Sequence, residues 1–134
     1  MKVERVDHIG IAVKSIEEAK KLYVDILGIA ATGEETVEEQ NVKVCFIPCG
    51  DTEIELLEST TSEGQVAKFI EAKGEGIHHL ALQVDDLEAA IAEMKARGMR
   101  MIDDKPRYGA GGAKIAFVHP EVTHGVLLEL SQRR

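Results

Sequence analysis

The chain carries one pattern twice. Residues 7–29, DHIGIAVKSIEEAKKLYVDILGI, and residues 76–99, GIHHLALQVDDLEAAIAEMKARGM, match when His8 is laid on His79, an offset of 71 (79 − 8). Ile9 then falls on Leu80, Ile11 on Leu82, Val13 on Val84, Ile16 on Leu87 and Ala19 on Ala90. Each copy alternates apolar and small or polar residues, then changes to helical spacing, so each reads as a strand leading into an amphipathic helix. Two copies are too few for a solenoid. They predict an α+β fold of two tandem βαβββ-type modules with pseudo-twofold symmetry. The helices lie outside, and the sheets curl around a cleft that can hold a metal. The chain of 134 residues suits one such domain. Its repeats are expected at 1–58 and 76–134, joined by a short helical linker at 59–75.

The punctuation supports this. Ser15 with Glu18 forms a capping box, and Gly28 closes the first helix. Residues 30–41 are polar, with room for a short strand. Residues 42–48 and 52–58 read as a hairpin turning at Cys49, Gly50 and Asp51. In the linker, Ser62 and Gln65 are placed to cap a helix carrying Val66, Phe69 and Ile70. Asp86 caps the second long helix, which Gly98 ends. Strands are expected at 99–103, 114–119 and 125–130, with a glycine-rich loop, YGAGG, at 108–112.

Function enters through the residues that do not face the helices. His8 and His79 occupy equivalent places in the two first strands. Glu55 and Glu129 occupy nearly equivalent places in the two last strands, at intervals of 47 (55 − 8) and 50 (129 − 79). A lone histidine on a strand is ordinarily a core or surface residue, and a lone glutamate a solvated one. Four ligand-type residues on matching sites of a repeat point instead to a divalent first-row metal held by His8, Glu55, His79 and Glu129. Imidazole suits Zn²⁺, Co²⁺, Ni²⁺ or Mn²⁺; carboxylate shifts the preference toward Mn²⁺, Co²⁺ or Mg²⁺. By strand parity His78 points with Leu80 and Leu82 toward the helices, and His119 and His124 lie near turns. A formal net charge of −8 argues against nucleic acid as a partner. Cys45 and Cys49 read as core thiols. The amino terminus carries no apolar signal region and no stretch reaches the length of a membrane span, so a cytoplasmic protein is expected.

DHIGIAV, IELLES, the run VAKFIEAKGEGIHHLALQVDD, and GAGGAKIAFVHPEVTHGVLLEL together resemble the vicinal oxygen chelate (glyoxalase-like) superfamily. Within it the chain is similar to the epimerases that interconvert (R)- and (S)-methylmalonyl-CoA. The resemblance spans essentially the whole chain, and GIHH with VDD, the glycine-rich loop, FVHP and GVLLEL are its specific parts. It implies a divalent metal, Co²⁺ first, on the same four residues, and proton abstraction alpha to a thioester with a stabilised enolate. It implies an acyl-CoA substrate, no nucleotide redox cofactor, and a homodimer. It also makes Glu129 an acid/base residue. Those epimerases carry a second glutamate on the strand before IELLE, where counting back from Pro48 puts Lys43. Lys43 can serve as a base of lowered pKa, bind the substrate carboxylate as a cation, or be solvated. Lys114 and Arg107, beside the glycine-rich loop, are candidates for phosphate contact. Two further readings stay open: a lactoylglutathione lyase, and a non-enzymatic binding protein of the bleomycin-resistance type.

Overall fold

The computed structural model describes residues 1–133. Arg134, the last residue of the expected second repeat, lies outside them. The described residues hold eight strands. The chain divides into two compact units, His8–His78 and Met1–Asp7 with His79–Arg134.

The unit His8–His78 holds the second half of β1 (Val3–Ala12), α1 (Ile16–Lys20), β2 (Gly33–Val37), β3 (Val42–Cys49), β4 (Thr52–Ser59) and α2 (Gln65–Lys73). β1 runs parallel to β4, and β3 is antiparallel to both β2 and β4. The core packs Val13, Ile16, Cys45, Ile47 and Leu56 together, with Ala19, Tyr23 and Val24 of the helix against them. Ser15 caps α1 by accepting from the Glu18 amide at 3.2 Å, and the Glu58 carboxylate takes the Ile16 amide at 2.8 Å. The helix then widens into a π-helix over Lys21–Ile26, which the periodicity did not announce. Two sequence expectations change here. The amino-terminal cap of α2 is Gly64, with no side-chain cap bond, rather than Ser62. Cys49 is exposed at the hairpin turn, and only Cys45 is a core thiol.

The second unit holds β5 (Gly76–Val84, from His79 on), α3 (Leu87–Ala96), β6 (Arg107–Tyr108), β7 (Lys114–Val118) and β8 (Leu128–Gln132). It repeats the plan: β5 runs parallel to β8, and β7 is antiparallel to β8 and β6. Asp86 accepts from the Ala89 amide at 3.1 Å and caps α3. Val84, Leu87, Ala90, Ile91, Ala116, Val118 and Leu130 form the core. A full strand at 99–103 does not form; Met101 makes one bridge to Val118. β8 starts three residues later than expected. The amides of Gly125 and Val122 bond back to Pro120 and His119, and Gly125 takes φ +92, so 119–125 is spent on a turn.

Candidate metal and proton-transfer site

In each unit the register fixes which side chains share a face. β1 and β4 pair Gly10 with Glu55, and residues opposite one another point the same way. His8, two residues before Gly10, therefore shares the face of Glu55. The imidazole Nδ1 of His8 lies 3.5 Å from Glu55 Oε2, with both side chains almost wholly buried. In the other unit Ala81 pairs with Glu129, which puts His79 and Glu129 on one face. His79 Nε2 lies 3.4 Å from Glu129 Oε1, again buried. Each repeat thus builds its own histidine–carboxylate couple on the face opposite the helix-packing Leu56 or Leu130. His8, His79 and Glu129 are all buried, and each offers a ligand atom that could hold a metal ion. Buried charges need partners, and two imidazoles with carboxylates are a donor set suited to a divalent cation. The residues fit such an ion.

Lys43 lies apart from the histidine–carboxylate face. β3 pairs Phe46 with Glu55, and Lys43 with Glu58. Lys43 therefore shares a face with Cys45 and Ile47, which pack toward the helix, and not with Glu55. Its ammonium lies 3.1 Å from Glu34. The hydrogen bond and charge of Glu34 raise the lysine pKa, opposite to the lowering a base would need. The positions of β3 on the Glu55 face are Val42, Val44, Phe46 and Pro48, which have no proton to exchange.

Other histidines fall as parity predicts. His78 meets Phe69 of α2 edge-on, ring centroids 5.0 Å apart, and burial lowers its pKa. His119 Nδ1 accepts from the Glu121 amide at 3.0 Å, within the turn before β8. Three neighbours of the site were not singled out from sequence. Phe117 is paired with Glu129, and its ring meets His79 edge-on at 5.8 Å. Ser131, on the Glu129 face of β8, is fully buried, its hydroxyl without a hydrogen-bond partner among the described residues. Asp7 is buried and held in a two-point ion pair, Arg133 donating from Nε at 2.8 Å and Nη2 at 2.9 Å. Alternation along β7 and β8 carries the signal for Phe117 and Ser131. Nothing local links residue 7 to residue 133.

The glyoxalase/bleomycin resistance protein/dioxygenase superfamily model matches residues 7–117. The chain belongs to that superfamily. It is 44% identical over 130 residues to the uncharacterized protein YqjC of Bacillus subtilis, covering 97% of this chain and 93% of the relative. It is 34% identical to the mitochondrial methylmalonyl-CoA epimerase of Mus musculus, covering 98% of this chain and 74% of that one. A solved methylmalonyl-CoA epimerase in complex with methylmalonyl-CoA and NH4+ superposes with a TM-score of 0.92 at 34% identity. That match covers 98% of this chain and 95% of the other. Likeness at that level across the chain makes the fold the glyoxalase fold, α+β as the repeat predicts. No helix among the described residues is long and apolar enough to cross a membrane.

Proposed function

We propose that this protein is a divalent-metal-dependent epimerase that interconverts (R)- and (S)-methylmalonyl-CoA. The observation that carries this reading is the buried histidine–carboxylate couple that each unit builds, in a chain similar along its length to proteins named methylmalonyl-CoA epimerase. His8, Glu55, His79 and Glu129 are the proposed metal ligands. A divalent cation held there, Co²⁺ by preference, would supply Lewis-acid stabilisation of negative charge on the substrate's oxygens.

The chain's own residues do the rest. The Glu129 carboxylate takes the proton from C2, leaving its electron pair in the enolate. Return of a proton to the opposite face of C2 gives the other epimer. With Lys43 turned away and Val42, Val44 and Phe46 on the site face of β3, that proton comes from a water in the site, and the hydroxide left behind takes the proton held by Glu129. Lys43 is a structural cation paired with Glu34. Phe117 and the buried strands limit water around the enolate. The two repeats, 1–58 and 76–134 with the segment 59–75 between them, work as one domain, in a cytoplasmic homodimer.

Deuterium incorporation at C2 of methylmalonyl-CoA in heavy water, followed by NMR with and without Co²⁺, tests this directly. Metal-dependent exchange above the buffer rate is expected. Absence of exchange with every divalent ion tried would discard the epimerase. The glutathione hemithioacetal of methylglyoxal would then be the substrate to assay.

A further inference from the structure

The segment between α3 and β6 converges on Phe117. The amides of Ile102 and Asp103 both donate to the Phe117 carbonyl, at 2.8 and 3.4 Å. The Asp103 carboxylate accepts from the Phe117 amide through Oδ2 at 2.8 Å. Its other oxygen, Oδ1, lies 3.3 Å from Nε of Arg107. The Arg107 guanidinium in turn stands over the Phe117 ring, 5.3 Å from its centroid. A short segment thus holds both backbone polar groups of Phe117 and one face of its ring, and Asp103 links the two grips.

Stability alone does not explain this bracket, because an ion pair whose cation is 47% exposed adds little. The bracket matters for what Phe117 touches. Its ring meets the His79 imidazole edge-on, with centroids 5.8 Å apart and planes at 88°. In the sheet Phe117 pairs with Glu129, and Arg107 pairs with Ile115, two residues before Phe117. Arg107, Phe117 and Glu129 therefore share one face. The contacts run in one line, from Asp103 to Arg107 to Phe117 to His79, all within the second unit.

The other unit is built differently at the equivalent place. Phe46 pairs with Glu55 as Phe117 pairs with Glu129. On its outer side Phe46 pairs with Gly33 of β2, which brings no side chain to the ring. An ordinary antiparallel strand serves the backbone there. The side-chain bracket is thus an addition of the carboxy-terminal unit, not a requirement of the sheet.

A divalent ion is bound best where its ligands already point at it, and the groups that aim them lie one layer out. A ring packed against an imidazole limits its rotation, and a cation over the aromatic face keeps that ring in place. From this line of contacts we infer that Asp103 and Arg107 are positioning residues. Acting through Phe117, they hold the His79 imidazole in the orientation in which it can ligate a metal. The inference rests on the reading of His79 as a ligand. It extends the functional residues from the donors to the segment before β6.

Two measurements test it. In the first, Co²⁺ is titrated calorimetrically into metal-free protein. Arg107→Met keeps an apolar stem and removes the charge. It is expected to weaken Co²⁺ binding by about ten-fold, the size of an outer-shell effect. Phe117→Leu is expected to do the same. The double variant is expected to lose nothing further, because Arg107 acts only through the ring. Binding by Arg107→Met as tight as wild type overturns the inference, and so does a full additional loss in the double variant. The second measurement follows the histidine ring signals of metal-free protein by NMR at fixed pH. Arg107→Met should shift the His79 ring signals toward those of Phe117→Leu. The signals of His78, which packs on Phe69, should stay in place. Unmoved His79 signals overturn the inference, as does an equal shift of both histidines, which a general loosening would give. Wild-type protein that binds none of Co²⁺, Mn²⁺ and Zn²⁺ would discard the metal reading, and the His79 ring signals alone would then decide the inference.

Discussion

The two units share a ligand framework and differ in almost everything built on its rim. Each runs its first strand parallel to its last and caps its first helix with a short oxygen side chain. Each sets a buried histidine within about 3.5 Å of a carboxylate. Beyond that they part. The unit His8–His78 closes β3 and β4 with a tight hairpin, pairing Cys49 with Thr52. Its helix continues as a π-helix, leaving Leu22, Ile26 and Leu27 exposed. The other keeps a regular helix and spends its length on the glycine-rich loop, β6 and the grooves around Tyr108. What the two units keep in common is the matched pair of donors; the rest of the rim differs.

The largest expected effect separates the two carboxylates that look equivalent. Glu129→Gln is expected to lower metal-dependent C2 deuterium exchange by about 10²–10⁴-fold, the size of a lost acid/base. Glu55→Gln keeps an oxygen donor and no proton-transfer role is lost, so exchange continues while metal retained after dialysis falls about ten-fold. Elemental analysis beside the NMR assay reads both. Equal losses of exchange in the two variants would break the asymmetry. Exchange surviving in Glu129→Gln would reverse it.

Core truncation asks whether the halves are equally packed. Leu56 and Leu87 are fully buried against their own helix–sheet layers. Leu56→Ala and Leu87→Ala should each cost about 2–5 kcal/mol, measured by urea unfolding. A cost below about 1 kcal/mol at either site would show that unit to be loosely packed.

The caps give a smaller contrast. Asp86→Ala should destabilise by about 1 kcal/mol, since Asp86 heads a regular helix of ten residues. Ser15→Ala should cost less, because Glu58 holds the neighbouring Ile16 amide. Equal shifts in melting temperature would show that the Glu58 contact contributes nothing.

The smallest effect is on pH. The Lys43 hydrogen bond holds the Glu34 carboxyl below its ordinary value of 4.5. The unfolded state thus binds the proton first as acid is added. The stabilisation is present above about pH 4.5 and is lost as the pH falls through the folded value. Both side chains are substantially exposed, so the difference between wild type and Lys43→Met should be slight at pH 7 and absent at pH 3. A melting difference that persists at pH 3 would show the effect of Lys43 to be packing, not charge.

Much of the site could be read before folding. The offset of 71 residues aligns His8 with His79, and period-two alternation sets Glu55 and Glu129 opposite the apolar Leu56 and Leu130. Lys43 shows where such reading stops. Counting back from Pro48 gives its place along the strand. Its face depends on the hairpin pairing Cys49 with Thr52, and a slip of one residue in that register turns every side chain over. The burial of Cys45 and Ile47 was the usable clue, since Lys43 must share their side. The missing strand at 99–103 has a similar cause: Met101 bridges Val118, and the Asp103 carboxylate takes the Phe117 amide.

The sequence by itself determined the repeat, the alternation and helical spacing, the helix caps at Ser15 and Asp86, and the identity of four buried donors. These are local properties, written in periods of two and 3.6 residues and in the chemistry of single side chains. Tertiary structure alone decided the parallel pairing of β1 with β4 and β5 with β8. It also decided the ion pair across Asp7 and Arg133, the face taken by Lys43, and the open setting of Tyr108 between two grooves. Those depend on which strands meet and in what register. That choice is made by packing between residues far apart in the chain, and no local pattern encodes it.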